Sequence, residues 1–477
     1  MTFYWHDYET WGIDPRYTRP SQFAGIRTDE HFEIVGEPLV AYCQPNEDFL
    51  PDPYAVFVTG ITPQKAKAEG LPEHEFAKKI HAEFSTPQTV GIGYNSINFD
   101  DEFTRYLFWR NFYDPYAHTY QDGNSRWDLV NVVRLMRALR PDGLQWPVID
   151  GRPSNRLEHL TKANGIEHAD AHDALSDVLA TIELAKIMKK AQPKLFEFVF
   201  THRDKKSAAG LLNIDTVTPV VHSSDKFRSE TLGTALVAPF AMHPNGRDVM
   251  TWNLKFDPAR LLDESPESLR EVLFMNRHEL TKSKQTRPAL KSIRLNRCPV
   301  LAPASTLDSP SAERIQVDIG VAKKYQQWMV KHKPQLDKVV AEIFEGESDM
   351  PTQADPDAAL YNGFTSDIDR KILMRVPRTK PEELLQLQSE FSDQRLSKLL
   401  FRYRARNFPH SLNTDERAEW ESHRNKKLLS ENAPHMTFKK YGTVLQKLLQ
   451  ESHNDPAKQH LLEQLQLWGE SLYPVDI

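Results

Sequence analysis

Hydrophobic and polar positions divide the chain into three stretches of different rhythm. The first opens on an aromatic run, Phe3-Tyr4-Trp5, that leads into His6-Asp7-Tyr8-Glu9-Thr10. Its β-forming residues predict a strand over 3–7, with further strands over 22–27 and 32–43. The apolar run at 89–95 predicts another strand, which ends at Phe99-Asp100-Asp101-Glu102, acidic residues that suit a helix N-terminus. Leu175, Val178, Leu179, Ile182 and Ala185 make one apolar stripe and predict a helix over 174–190. Strands that alternate with helices predict an α/β layer fold for residues 1–190. After Ala191-Gln192-Pro193 the rhythm changes. Short runs at 216–221, 234–239 and 292–301, separated by Pro, Gly and Asn, predict a mainly β module over 193–347. A polar linker rich in Asp and Pro follows at 345–357. From 351 to 477 the spacing is helical, with helices expected over 382–401, 414–429 and 460–473.

Composition narrows this picture without redirecting it. A chain of 477 residues exceeds one core, and about three domains are expected. With 39% hydrophobic and 26% charged residues it reads as an ordinary globular protein. No apolar run approaches the ~18 residues of a membrane span, and no basic-then-apolar leader is expected at the N-terminus. Two cysteines, Cys43 and Cys298, make a disulfide framework or a zinc-cysteine site unexpected and point to a reducing cytoplasm. A formal net charge of -6 means that any nucleic-acid site must be built from local basic patches.

The chemistry lies in carboxylates. In a strand, Asp7 and Glu9 point to one face and bring two like charges into one small volume. Such a pair calls for a cation, and hard oxygen-liganded ions such as Mg²⁺ are the usual partners. Taken alone, the pair also reads as a solvated strand end, and Asp100 as a helix N-cap. His172 and Asp177, five residues apart, would lie ~140° apart on one helix. The spacing instead puts Asp177 in the first turns of a helix, His172 on the loop before it, and Asp173 at the N-cap. A loop histidine beside metal-held carboxylates suits a general base for water.

Between Thr104 and Arg156 the chain has eight arginines, no lysine, five aspartates and no glutamate, interleaved with aromatics. Arginines grip phosphates, and aromatic faces stack on unpaired bases. Arg105, Tyr116, Tyr120, Arg134 and Arg156 are candidates for contact with a single strand, whereas Phe108, Phe112 and Trp127 read as core. A second basic stretch, 277–297, carries seven Lys/Arg and one Glu. There Arg294 should face outward from a strand that buries Ile293 and Leu295, on a surface that is either solvated, or tracks phosphate, or captures an acidic peptide. The basic-aromatic segment 401–409 reads as a structural helix end.

The order Asp-x-Glu, Phe-Asp, His-x4-Asp resembles the DEDD exonuclease superfamily in its histidine variant, built on the ribonuclease H-like fold. The resemblance extends further. His-Asp-Tyr-Glu-Thr at 6–10, Tyr-Asp-Pro-Tyr-Ala at 113–117 and Leu-Glu-His-Leu-Thr-Lys-Ala-Asn-Gly-Ile-Glu-His at 157–168 are similar to the bacterial exonuclease I family. So are Cys-Pro-Val-Leu-Ala at 298–302, Leu-Tyr-Asn-Gly-Phe at 360–364 and Tyr-Arg-Ala-Arg-Asn-Phe-Pro at 403–409. Tyr120 stands where the family leads one to expect tryptophan, and Asn155 where phenylalanine is expected.

This resemblance implies a ribonuclease H-like exonuclease domain (1–190), an SH3-like domain (193–347) and a helical C-terminal domain (351–477). It implies that Asp7, Glu9, Asp100 and Asp177 hold two Mg²⁺ ions, with Mn²⁺ as a substitute, and that His172 deprotonates the attacking water. Glu9 and Arg156 would meet the terminal nucleotides. The implied activity is 3′→5′ digestion of single-stranded DNA to 5′-mononucleotides, in DNA repair and recombination. The implied state is a cytoplasmic monomer that meets single-stranded DNA-binding protein through that protein's acidic C-terminal tail. Two other readings compete. An RNA-directed exonuclease shares the catalytic motifs, because sugar choice depends on contacts near the 2′ position. A scaffold that holds strands without cutting them predicts the loss of a metal ligand, and all four carboxylates are present.

Overall fold

A computed structural model describes residues 1–168, 173–346 and 353–474. The chain forms two compact units, one of Met1–Ser125, Ala169–Leu179 and Met350–Ile477, the other of Arg126–His168 and Ala180–Asp349. The last third of the chain thus packs with the first.

In the first unit, β1 (Thr2–Thr10) lies inside a sheet ordered β3-β2-β1-β4, with β2 at Pro20–Thr28, β3 at Leu39–Tyr42 and β4 at Thr89–Gly93. β2 runs antiparallel to β1, and β4 parallel to it. Phe3, Tyr4, Trp5 and Tyr8 are buried, so β1 is covered on both faces where it carries aromatics. The third strand is shorter than the expected 32–43. Phe32 takes a left-handed φ of 69° and Gly36 one of 83°, and Asp29 accepts amide hydrogen bonds from His31 and Glu33. A loop held by its own turn chemistry thus occupies the first half of that run.

The helix Asp100–Arg110 is buried on nearly every side. Leu107 and Phe108 pack with Tyr4, Phe23 and Phe76, while Tyr106, Trp109 and Phe112 pack with Leu384, Leu399 and Tyr403 of the C-terminal helices. Phe108 and Phe112 are core, as expected. The helix Ala174–Ala191 matches expectation, with Val178, Ile182 and Ala185 buried, although Leu179 is exposed. The expected helix over 382–401 is two, Leu384–Glu390 and Gln394–Asn407. They break where Asp393 caps the second and Asp369 accepts from the Ser392 amide. Thr414–Leu429 is helical as expected, the last helix starts earlier, at Pro456, and Phe438–Glu451 is an additional helix.

A buried ion network joins the first and last thirds. Asp48 accepts from Arg406 at 2.7 Å and from Lys427 at 2.8 Å. Asp357 accepts from Arg402 and Arg406, each at 2.7 Å, and Glu73 from Arg110 at 2.9 Å. Arg404 bonds Glu416, so the 401–409 segment is a structural helix end, its arginines turned inward. Burial alone would raise the Asp48 and Asp357 carboxyls. Arg406 beside both, with Lys427 at Asp48 and Arg402 at Asp357, outweighs burial and holds them well below the usual range. Carboxyls depressed in the folded state contribute stability above their unfolded pKa and lose it as pH falls toward the folded value. The melting temperature, followed by circular dichroism, should fall steeply below about pH 4. A melting temperature that holds or rises from about pH 4 to about pH 2 would contradict this.

The second unit carries a five-stranded antiparallel sheet in the order Leu290–Arg294, Asp248–Asn253, Thr234–Met242, Val220–Ser223, Val300–Pro303. The single run expected over 292–301 is two strands, because the chain turns through Cys298 at a φ of 44°. The run expected at 216–221 forms a strand only from Val220. Ile293 and Leu295 are buried and Arg294 is exposed, as alternation predicts. Helices Pro266–Phe274, Ile319–Lys331 and Lys333–Ile343 make this stretch more helical than its apolar runs imply. Trp127 is core here, against Phe196 and Phe200.

Candidate active site

The period of β1 sorts its residues. Tyr8 turns into the core, where Thr104 donates to its hydroxyl, and His6 packs on Phe84 and Phe23. Asp7 and Glu9 take the opposite face. The Tyr8 amide donates to Asp100 Oδ1 at 3.2 Å, which ties the start of the Asp100–Arg110 helix to β1. Asp173 caps the helix Ala174–Ala191, its Oδ2 accepting from the Ser176 amide at 3.2 Å. That cap sets Asp177 one turn into the helix.

Carboxylate oxygens of Asp7, Glu9 and Asp177 lie within 4.8 Å of one another. Asp100 stands outside this trio but close enough to act on Asp7. Burial, then Asp100, Asp177 and Asp173, push the Asp7 carboxyl well above the usual range. Burial, then Asp7 and Asp177, push Glu9 up to about 9. These groups cannot all carry charge at neutral pH unless a cation joins them. Clustered, oxygen-only and partly buried, the donor set fits a hard divalent ion. His172 lies outside the described residues.

The candidates for strand contact divide. Arg105 is buried, with Nη1 donating to Glu102 at 2.9 Å and to the Tyr361 hydroxyl at 3.2 Å, and its guanidinium is 5.3 Å from the Tyr116 ring. The bond to Tyr361 ties the helix to the C-terminal segment. Tyr116 is half-buried in the same packing, and Tyr120 is 64% exposed. Arg134 and Arg156 belong to the second unit. Arg134 donates to Asn131, whereas Arg156, at the start of the helix Leu157–Ala163, keeps a side chain 74% exposed beside Glu158. Asn155 accepts from Arg137 at 3.0 Å, a polar role that the expected phenylalanine would not fill.

Family models for an exonuclease match residues 4–185, for the exonuclease I SH3-like domain 203–346, and for the exonuclease I C-terminal domain 354–472. The chain is 45% identical to Escherichia coli exodeoxyribonuclease I, over 99% of this chain and 98% of that one. It belongs to the exodeoxyribonuclease I family. The E. coli exonuclease I complex with a dA16 oligonucleotide superposes with a TM-score of 0.94 at 45% identity, covering 99% and 100% of the two chains. A zinc-bound form of the E. coli exonuclease I–single-stranded DNA complex gives 0.93 at 44% identity, covering 99% of each. An SSB/exonuclease I structure with the inhibitor CFAM gives 0.90 at 43%, again covering 99% of each. The fold is therefore that of this family, an exonuclease domain followed by SH3-like and C-terminal domains. Among the described residues no helix is long and apolar enough to cross a membrane.

Proposed function

We propose that this chain is a Mg²⁺-dependent exonuclease that hydrolyses single-stranded DNA from its 3′ end and releases 5′-mononucleotides. The observation that carries the reading is the carboxylate trio Asp7, Glu9 and Asp177, with Asp100 beside it, in a member of the exodeoxyribonuclease I family. Asp7, Glu9, Asp100 and Asp177 hold two divalent ions, Mg²⁺ by preference and Mn²⁺ as a substitute, as an all-oxygen donor set favours. Ions bound there supply the positive charge that offsets the charge building on the scissile phosphodiester. Glu9, at the strand end, also meets the terminal nucleotide. His172, which precedes Asp177 by five residues in the sequence, takes the proton of the attacking water. Arg156 and Tyr120, both exposed, contact the strand, the first through phosphate and the second through a base. Single-stranded DNA-binding protein is the expected partner, through its acidic tail, with the enzyme itself a monomer. A cytoplasmic location agrees with two free cysteines.

Matched single-stranded DNA and RNA oligonucleotides, incubated with protein and Mg²⁺, test the reading. DNA should be degraded rapidly, RNA far more slowly, and excess EDTA should stop both. Full activity in EDTA would overturn the metal requirement, and equal rates on both strands would overturn the choice of DNA.

A further inference from the structure

Gln22 is a polar residue only 2% exposed. It lies on β2 opposite Glu9 in the ladder, with Ala24 opposite Asp7. Cross-strand partners share a face, so Gln22 stands on the face that carries the two carboxylates. Both ends of its amide are used. Nε2 donates to Asp173 Oδ1 at 3.1 Å, and Oε1 accepts from the Ala174 amide at 3.4 Å. The other Asp173 oxygen accepts from the Ser176 amide, and the Asp173 carbonyl accepts from the Asp177 amide at 3.0 Å.

We propose that Gln22 is a positioning residue for the metal-holding carboxylates: from β2 it clamps Asp173 and the first turn of the Ala174–Ala191 helix, and so fixes Asp177 against Asp7 and Glu9. The proposal rests on the metal-dependent reading above. A glutamine suits the task because the clamp needs one donor and one acceptor on a single short arm. The clamp also restrains a further anion. With one oxygen held by Gln22 and the other by the helix cap, the Asp173 carboxylate cannot rotate toward the trio and compete there. Losing a group that orients the ligands of a metal commonly costs about 10- to 100-fold in metal affinity or activity.

Gln22→Met keeps the volume and removes both hydrogen bonds. Mn²⁺ uptake is read by electron paramagnetic resonance of the free ion, and the Mg²⁺ dependence of the rate is measured alongside. In Gln22→Met the half-saturating concentration of either ion should rise about 10- to 100-fold, while the rate at saturating Mg²⁺ stays close to wild type. If Gln22→Met does not fold, Gln22→Asn, which keeps the amide on a shorter arm, should show a smaller shift in the same direction. Wild type that binds Mn²⁺ beside a folded variant of unchanged affinity overturns the clamp alone. Loss of rate with unchanged Mn²⁺ affinity does the same. Wild type that takes up no Mn²⁺ overturns the metal-dependent reading, and the clamp with it.

Discussion

Asp177→Asn should lower the rate of strand hydrolysis by on the order of 10³-fold or more, because a cation held by one fewer charge loses several kcal/mol of its stabilising effect. The substitution keeps the shape of the side chain and removes only its charge. Asp177 lies in the trio with Asp7 and Glu9, and it is among the groups that push both of their carboxyls up. Two consequences separate a loss of chemistry from a loss of fold. In EDTA the variant should melt no lower than wild type, because one source of repulsion has gone. Binding to a labelled single-stranded oligonucleotide, followed by fluorescence anisotropy, should persist. A variant that hydrolyses DNA near the wild-type rate would remove Asp177 from the site.

Asp48→Asn should destabilise the first unit by about 3–5 kcal/mol, the usual result of removing one partner from a buried ion pair. Asp48 is fully buried and accepts from both Arg406 and Lys427, residues from the far end of the chain. Arg19 also lies 4.0 Å from it. An asparagine leaves these buried cations facing a neutral group. Urea unfolding followed by circular dichroism gives the loss directly. A change below about 1 kcal/mol, the size expected of an exposed pair, would show that the network is not the strut between the two chain ends.

The residues that were legible in the sequence share one property: their signal is local. Asp7 and Glu9 on one face of β1, and Asp177 in the first turn of its helix with Asp173 at the cap, follow from period and spacing. What escaped depends on partners far along the chain. Gln22 looks like an ordinary strand residue until the register sets it opposite Glu9. Arg105 carries no mark in the sequence of Tyr361, 256 residues away, to whose hydroxyl it donates. Asp48 and Arg406, 358 residues apart, carry no mark of each other. The strands within 32–43 and 292–301 are shorter than composition favours, because left-handed residues such as Phe32 and Cys298 interrupt them.

A time course on a single-stranded DNA oligonucleotide labelled at its 5′ end, with Mg²⁺ and with Asp177→Asn in parallel, tests the central claim. The account predicts a ladder that shortens one nucleotide at a time from the 3′ end, keeps its label until the products are short, and is absent in the variant. Release of the label as a mononucleotide at the outset, cleavage at internal positions, or an unchanged ladder from Asp177→Asn would contradict it.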